Sequence, residues 1–532
     1  LHRRHRGGAL MPNELLAIDQ VGFPAITLLI LFPVVAAAVV VSLGDARAAT
    51  RVAIAAAALE FAGTVTLALA FEPGISDMQF VERVGDFFGV SWHVGVDGVS
   101  ILFVPLTALL GLMVIAYAEH NIPALRADGD PPIVGTAAGY SAAILILEAT
   151  MLGAFVALDL MIFWAFFVAE LIPSWFLITR WGTGPQRRDA GRNYVGFVGA
   201  GAAFMLVGIV LTGRAYAAAT GNGVSFELGR LLSMELAPAS QTWPFVLLAL
   251  GFAAKAPLFP FHTWLPKVLD HGPVVGMSVF LVGVKLGTYG FLRFIIPLFP
   301  ESAKEWLWIM ATAGAVSVIY GSFLALGQTN LRRLLAFASV AHMGVVMLGL
   351  FSLNLDGFEG AVLQMVNLGI VGAGLFFVAG FLTARIGQPE LASLGGLVSS
   401  APLMTAAFLL VALAGVGLPG TNGFNGEHLV MLGGYQRSWW MAVTAGLGVL
   451  LTAAYSLSYF MRGFMGEAHK TLAERIYDLT RGERAIIAVL AALIFWIGLG
   501  TSPFIHRIRP SLTWLEERVE QASSGITRLE KQ

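Results

Sequence analysis

Fourteen runs of about twenty mostly apolar residues follow one another along this chain, and a run of that length crosses the hydrocarbon core of a bilayer as a helix. They lie near 23–43, 51–71, 99–118, 133–157, 160–179, 194–212, 242–261, 273–297, 306–327, 333–352, 359–384, 402–434, 439–463 and 484–503. Lipid offers no hydrogen bonds to the backbone, so such runs must be helical. Charge content agrees. Only 12% of the 532 residues are charged, where about 25% is usual for a soluble domain. The expected fold class is an all-α polytopic membrane protein in contact with the lipid bilayer.

Residues 73–98 and 214–241 are the longest polar interruptions. The stretch 87–100, rich in aromatics and glycine, is expected at the membrane interface. Residues 504–532 read as an amphipathic tail. Runs four and five are joined by little more than "ALDL", which makes them antiparallel neighbours. Residues 1–10, "LHRRHRGGAL", are basic and read as an upstream start. The first run is too long for a signal-peptide core.

Several functions are excluded. A net charge of −1 gives no electrostatic case for nucleic acid. The absence of cysteine rules out disulfides, iron–sulfur ligation and thiolate metal sites. No stretch resembles a nucleotide-binding loop. His262 has no second histidine at ligand spacing, so it is expected to order a cavity wall, and no metal or cofactor site is expected in this chain. Redox chemistry, if coupled to this protein, belongs to another one.

Fourteen spans put both ends on one side. Alternate loops carry sixteen and five basic residues, and the richer set faces the cytoplasm. Both termini are therefore expected on the non-cytoplasmic side.

A charge at the bilayer centre costs about 2.5–3.5 kcal/mol on insertion scales, so a buried ionisable group is a candidate for function. Glu148, Glu170, Lys255, Lys285 and Glu427 stand inside the runs, and His342 adds a group that titrates near neutrality. Glu60 is a further acid, apart from the pattern. Asp97 and Asp159 stand at span ends, where they read as helix caps. In "GFAAKAPLFPFHTWLP" (251–266), Lys255 is followed by Pro257 and Pro260. Proline removes a donor and breaks the helix. The freed carbonyls need partners, so this backbone is expected to face a hydrated cavity. Pro419 and Gly420 repeat the break ahead of Glu427. Two broken helices, each with a titratable group, are the pattern of ion transporters built from inverted repeats. Structural roles compete with these readings. Lys255 and Glu170 could form a purely structural ion pair, Glu427 could cap its own half-helix, and His342 could be a satisfied core histidine.

The motifs "GVDGVS" (95–100), "AKAPLFPFHTWLP" (254–266), "KLGTYGFLRF" (285–294), "NLRRLLAFASVAHMG" (330–344) and "LPGTNGFNGE" (418–427) resemble the antiporter-like membrane subunits of respiratory complex I. The subunit M, or mitochondrial subunit 4, type is favoured by Glu427, where sister subunits tend to carry lysine. The resemblance implies about 14 helices, two inverted five-helix repeats, and breaks in helices 7 and 12. It implies an N-terminal segment (1–22), helices 1–3 (23–127), a first repeat (128–300), a second repeat (301–466), and a last helix with its tail (467–532). It further implies a bacterial inner membrane, proton transfer driven by electron transfer in other subunits, sister antiporter-like subunits as partners, and a quinone bound elsewhere. Lys255, Lys285 and Glu427 match the family's proton-relay groups. A carbon dioxide-hydrating dehydrogenase complex, a membrane hydrogenase, a multisubunit cation/proton antiporter, or a non-conducting scaffold remains an alternative.

Three departures bear on that relay. The family's acid on helix 5 stands five residues before the proline, where this chain has Val168; its acid is Glu170. Two residues turn a helix by about 200°, so Glu170 reaches Lys255 only if helix 5 is rotated or bulged. That contact is the expectation here. Asn367 and Leu368 stand where helix 11 usually has histidine, and Arg332 replaces a lysine.

Overall fold

The computed structural model describes residues 12–121, 136–234, 236–387, 390–466 and 476–529. The basic start at 1–10 lies outside them, as do the loop residues Arg126, Lys470 and Arg475.

The long helices are α1 (Ala25–Ser42), α2 (Ala46–Ala70), α3 (Ser100–Asn121), α4 (Ala137–Val156) and α5 (Leu160–Trp181, interrupted at Glu170). They continue as α6 (Arg187–Thr220), α7a (Pro238–Lys255), α7b (Trp264–His271), α8 (Met277–Leu298), α9 (Leu307–Leu326) and α10 (Leu331–Leu350). The last are α11 (Leu355–Ile386), α12a (Pro402–Val416), α12b (Asn422–Arg437), α13 (Trp439–Gly463), α14 (Arg481–Leu499) and α15 (Ser502–Leu529). Twelve described helices are long and apolar enough to cross a membrane, against fourteen expected. The two that fall short are the halves that precede the breaks. The first turns of α7a carry "PASQTWP", and α12a ends after 15 residues.

Side-chain caps set many boundaries by satisfying the free N–H groups of a first turn. Asp45 caps α2, Thr136 caps α4, Asn330 caps α10 and Asn354 caps α11. Thr480 and Glu483 form a capping box on α14. Asp159 receives Met161 N at 2.8 Å, and Asp97 receives Ser100 N at 2.9 Å, so both act as the expected caps.

Residues 87–96 of the segment expected at the interface belong to a strand pair. Met78–Phe87 (β2) and Val90–Val96 (β3) form an antiparallel hairpin, with Glu14–Leu16 (β1) parallel to β2. Phe88 and Gly89 turn the chain with φ of +55° and +82°, the signature of a two-residue hairpin turn. The fold is therefore helical with one small sheet. Arg83 and Arg230 hold the sheet through Glu227, at 2.5 and 2.8 Å.

The amphipathic tail is α15. It lies against the bundle through Arg509 to Glu359 at 2.6 Å and through Glu516 to the amide of Leu355 at 2.8 Å. At the centre, α4, α8, α10 and α11 are almost wholly buried, while α1, α2 and α14 show broad apolar outer faces. That arrangement places Glu148, Lys285 and His342 in the core of the bundle.

Candidate functional site

Lys255 is the last residue of α7a and is fully buried. Protein groups meet part of the backbone cost of the break here. The carbonyl of Ala253 accepts the amide of Leu258 at 3.2 Å, and that of Ala254 accepts the indole N–H of Trp264 at 2.8 Å. The amide of Phe259 donates to Ser317 Oγ at 2.9 Å. Trp264, within reach of its own break, thus supplies one of the partners that the freed carbonyls need.

The ammonium of Lys255 donates to a carboxylate oxygen of Glu170 and to the hydroxyl of Tyr194 at 2.8 Å. Its Nζ lies 5.5, 5.3 and 6.0 Å from the ring centres of Phe167, Tyr194 and Phe280, close enough for cation–π attraction. Tyr194 OH and Ser174 Oγ complete the shell of Glu170, at 3.2 and 3.3 Å. A buried ion pair survives desolvation only when its remaining hydrogen-bonding capacity is also met, and these two hydroxyls do that.

How the displaced acid reaches the lysine follows from α5. Pro173 offers no N–H to the carbonyl of Ala169, and the helix is interrupted at Glu170 itself. Val168 is partly buried at the edge of the core, while Glu170 is fully buried. Opposite it stands Gly283, where a Cβ would fall 2.8 Å from Glu170 Oε1. The missing side chain on α8 makes room for the moved carboxyl.

Lys285 is two residues further along α8, on the other side of the helix. Its ammonium donates to the carbonyl of Leu281 at 2.8 Å. It lines a cavity of about 40 Å³ with His342, Ser339, Thr452, Tyr455 and Ser456, larger than the ~10–15 Å³ that one water needs. His342 Nε2 is 3.4 Å from Tyr455 OH, which donates to Thr452 Oγ1 at 3.2 Å.

Glu427 sits in the second turn of α12b, beneath the break at Gly417–Thr421. Its carboxylate accepts Gln364 Nε2 at 3.3 Å, rather than an N–H of its own helix, so it is not the helix cap. Gly417 has a φ of +78°, and a Cβ on it would fall 2.2 Å from Glu427 Oε2. Asn367, in place of a histidine, donates to the carbonyl of Asn422 at 2.6 Å and ties α11 to the break. Arg332 donates to Leu269 O, Thr183 Oγ1 and Gly272 O at 3.0, 2.7 and 2.6 Å, which fastens the linker after α7b. His262 stacks on Phe259, with its centroid 5.8 Å away.

The structure thus joins Glu170 with Lys255, and Lys285 with His342. It leaves Glu427 at the second break and Glu148 alone on α4, where neither carboxyl oxygen has a partner among the described residues. Sequence reasoning missed Tyr194, Ser174 and Tyr455. Of these only Ser174, four residues from Glu170 on one helix, carried a spacing signal.

The sequence profile of the NADH:quinone oxidoreductase/Mrp antiporter transmembrane family matches residues 157–452. The chain belongs to that family. Among relatives in the NADH:quinone oxidoreductase/Mrp antiporter family, it is 38% identical over 506 residues to NADH-quinone oxidoreductase subunit M of Rhodobacter capsulatus, covering 92% of this chain and 96% of the relative. It is 32% identical to NADH-ubiquinone oxidoreductase chain 4 of Marchantia polymorpha, over 83% of this chain and 86% of that one. A chain of respiratory complex I from Thermus thermophilus superposes with a TM-score of 0.82 at 30% identity, over 93% of this chain and 99% of that one. A chain of the Mrp complex of Dietzia sp. reaches 0.80 at 21% identity, over 93% and 99%, which is a likeness of fold.

Proposed function

We propose that this chain is the proton-translocating, antiporter-like membrane subunit of a complex I-type NADH:quinone oxidoreductase. The observation that carries the reading is the Lys255–Glu170 pair, wholly buried at a helix break inside the family's core. A buried lysine exchanges its proton only when the charge beside it changes, and Glu170 is that charge. In the proposed relay Lys255 is the central carrier and Glu170 tunes its proton affinity. Lys285 and His342 pass charge in the membrane plane, and Glu427 exchanges with one bulk phase. Glu148 flanks the first pair. The relay sits in about 14 helices, with α4–α8 and α9–α13 as inverted repeats, between sister subunits and with the quinone bound elsewhere in the complex. Both termini lie outside the cytoplasm. Names of relatives support complex I over the alternatives: relatives called subunit M or chain 4 reach 32–38% identity, while the Mrp chain supports the fold alone.

The test is Lys255→Met in membrane vesicles of the assembled complex. Electron transfer from NADH should be measurable while proton uptake into vesicles is lost. Normal proton uptake by an assembled Lys255→Met complex would remove the relay role. The topology has its own check: a tag after Gln532 should be cut by protease from the non-cytoplasmic side, and cutting from the cytoplasmic side alone contradicts it.

A further inference from the structure

Glu148 flanks the relay with no partner of its own among the described residues, and Glu60 is a second buried acid that the relay does not use. Glu60 lies on the packed face of α2, in register with Ala53, Ala56, Ala57 and Thr64. It is 1% exposed, and Glu148 on α4 is 0% exposed. All four of their carboxyl oxygens are buried without a hydrogen-bond partner among the described residues. Helix α2, which carries Glu60 on its packed face, packs directly on α4.

The surroundings are built to hold these acids and not to neutralise them. A Cβ on Gly111 of α3 would fall 2.4 Å from Glu148 Oε2, so the acid occupies space that α3 leaves open. Thr64, the hydroxyl nearest in register to Glu60, donates to the carbonyl of Phe61 in its own helix at 2.8 Å. The other elements against α4 bring Glu170 from α5, Lys285 and Arg293 from α8, and His93 from β3. Glu170 is paired with Lys255 and Arg293 with Asp97. Lys285 is turned to Leu281 and His93 to Glu14. Helix α1 contributes no charge, and Arg47 and Arg51 of α2 are exposed at its far end.

An ionised carboxylate buried without a donor costs far more than a neutral acid, and two acids in reach of each other cannot both ionise. We propose that Glu60 and Glu148 form a proton-holding carboxyl pair, a second proton site on the α2 side of the Lys255 centre. Its exchange partner is Glu170. Met151 is three residues from Glu148 on the same face of α4. A Cβ on Gly283 would fall 3.3 Å from Met151 Sδ and 2.8 Å from Glu170 Oε1, so Met151 and Glu170 meet at the same point on α8. When Glu170 is ionised and Lys255 has lost its proton, the pair's proton can move to Glu170 and leave one shared negative charge behind. The use of the proton rests on the relay reading; the presence of the proton does not.

Infrared difference spectra of the assembled complex separate the two. Glu148→Gln should remove a carbonyl-stretch band of a protonated carboxylic acid, and Glu60→Gln should remove one and shift the band of Glu148. Where Glu60→Gln does not assemble, Glu60→Asp should shift its band and keep it. Neutral-acid bands untouched by both substitutions would overturn the proposal. So would an ionised-carboxylate band at these residues that responds to sodium, since that assigns a cation site. Exchange with Glu170 predicts a lower proton-to-electron ratio in Glu148→Gln, and an unchanged ratio removes that step. Normal pumping by Lys255→Met would end the relay reading while leaving the infrared result to decide the pair.

Discussion

Helices α7 and α12 break in the same way on paper, with proline after an apolar half-helix and a titratable group beside the break, yet the two sites satisfy their polar groups by opposite means. At α7 the charged groups and two of the freed carbonyls find protein partners. Trp264 and Leu258 take the freed carbonyls, and Tyr194 and Ser174 complete an ion pair. At α12 a single acid has one amide donor, Gln364. Around it Gln364 Oε1, Asn367 Oδ1 and both polar atoms of the Asn422 side chain are buried without partners among the described residues. Buried amide atoms of that kind are ordinarily satisfied by ordered water. A break in a membrane helix therefore does not by itself decide whether a site is wet. The side chains placed across the gap decide it.

The sharpest way to break this comparison is to remove one acid from each site. Glu170→Gln leaves the ammonium of Lys255 buried beside an amide. Losing one partner of a buried pair costs about 3–5 kcal/mol. Glu427→Gln removes a lone acid with one hydrogen bond, and should cost no more than about 1.5 kcal/mol. Thermal unfolding of the purified complex compares them. The double variant Glu170→Gln/Lys255→Met should recover much of the first loss while translocation stays absent. Equal costs for the two single variants would mean that Glu427 has a charged partner after all.

Much of this was legible in the sequence, for reasons that mark its limits. The spans are runs of apolar residues, and lipid leaves helix as their solution. Lys255, Lys285 and Glu427 announce themselves because charge is costly in such runs. Glu170 was harder. Its residue number set it on the wrong face of an ideal helix, and it reaches Lys255 because Pro173 interrupts the turn and Gly283, 113 positions away, leaves room. No local pattern contains that second condition. Tyr194 and Tyr455 look like ordinary aromatic residues of apolar helices until their hydroxyls are placed. The hairpin at 78–96 was not legible as strands, because the aromatics and glycines of 87–100 signalled an interfacial position and not a pairing partner. Trp264 caps one freed carbonyl of the α7 break, and its indole counted only as another apolar side chain in the motif.

The two glycines that make room for the acids sharpen the comparison further. Gly417 has a φ of +78°, and its Cβ would meet Glu427 Oε2 at 2.2 Å. Gly417→Ala therefore combines backbone strain with displacement of the acid, and should cost about 1–3 kcal/mol. Gly283 lies within helix α8, where alanine gains up to about 1 kcal/mol in helix propensity. Its contact is the end of the Glu170 side chain at 2.8 Å. Gly283→Ala should thus be the milder change in unfolding midpoint. Its effect should fall on translocation, through a displaced carboxyl. A larger stability loss at Gly283 than at Gly417 would show that the α7 site tolerates less movement than its side-chain contacts imply.

The smallest effects are expected from the two tyrosine hydroxyls, which probe the same contrast at the scale of one hydrogen bond. Tyr194 OH accepts from Lys255 at 2.8 Å and lies 3.2 Å from Glu170. Hydrogen bonds to charged groups contribute about 1.5–3 kcal/mol. Tyr455 OH makes two longer contacts, 3.4 Å to His342 Nε2 and 3.2 Å to Thr452 Oγ1, and beside it the cavity of about 40 Å³ has room for water. A water can take the place of the lost hydroxyl there, whereas the Tyr194 hydroxyl touches both members of a buried ion pair. Tyr455→Phe should accordingly cost about 0.5–1 kcal/mol, and Tyr194→Phe two to three times as much. Proton uptake should follow the same order, since a water that bridges His342 and Thr452 preserves the connection. If Tyr455→Phe proves the more damaging of the two, water does not replace its hydroxyl. The second site would then be as closed as the first, and the partnerless amides around Glu427 would need another explanation.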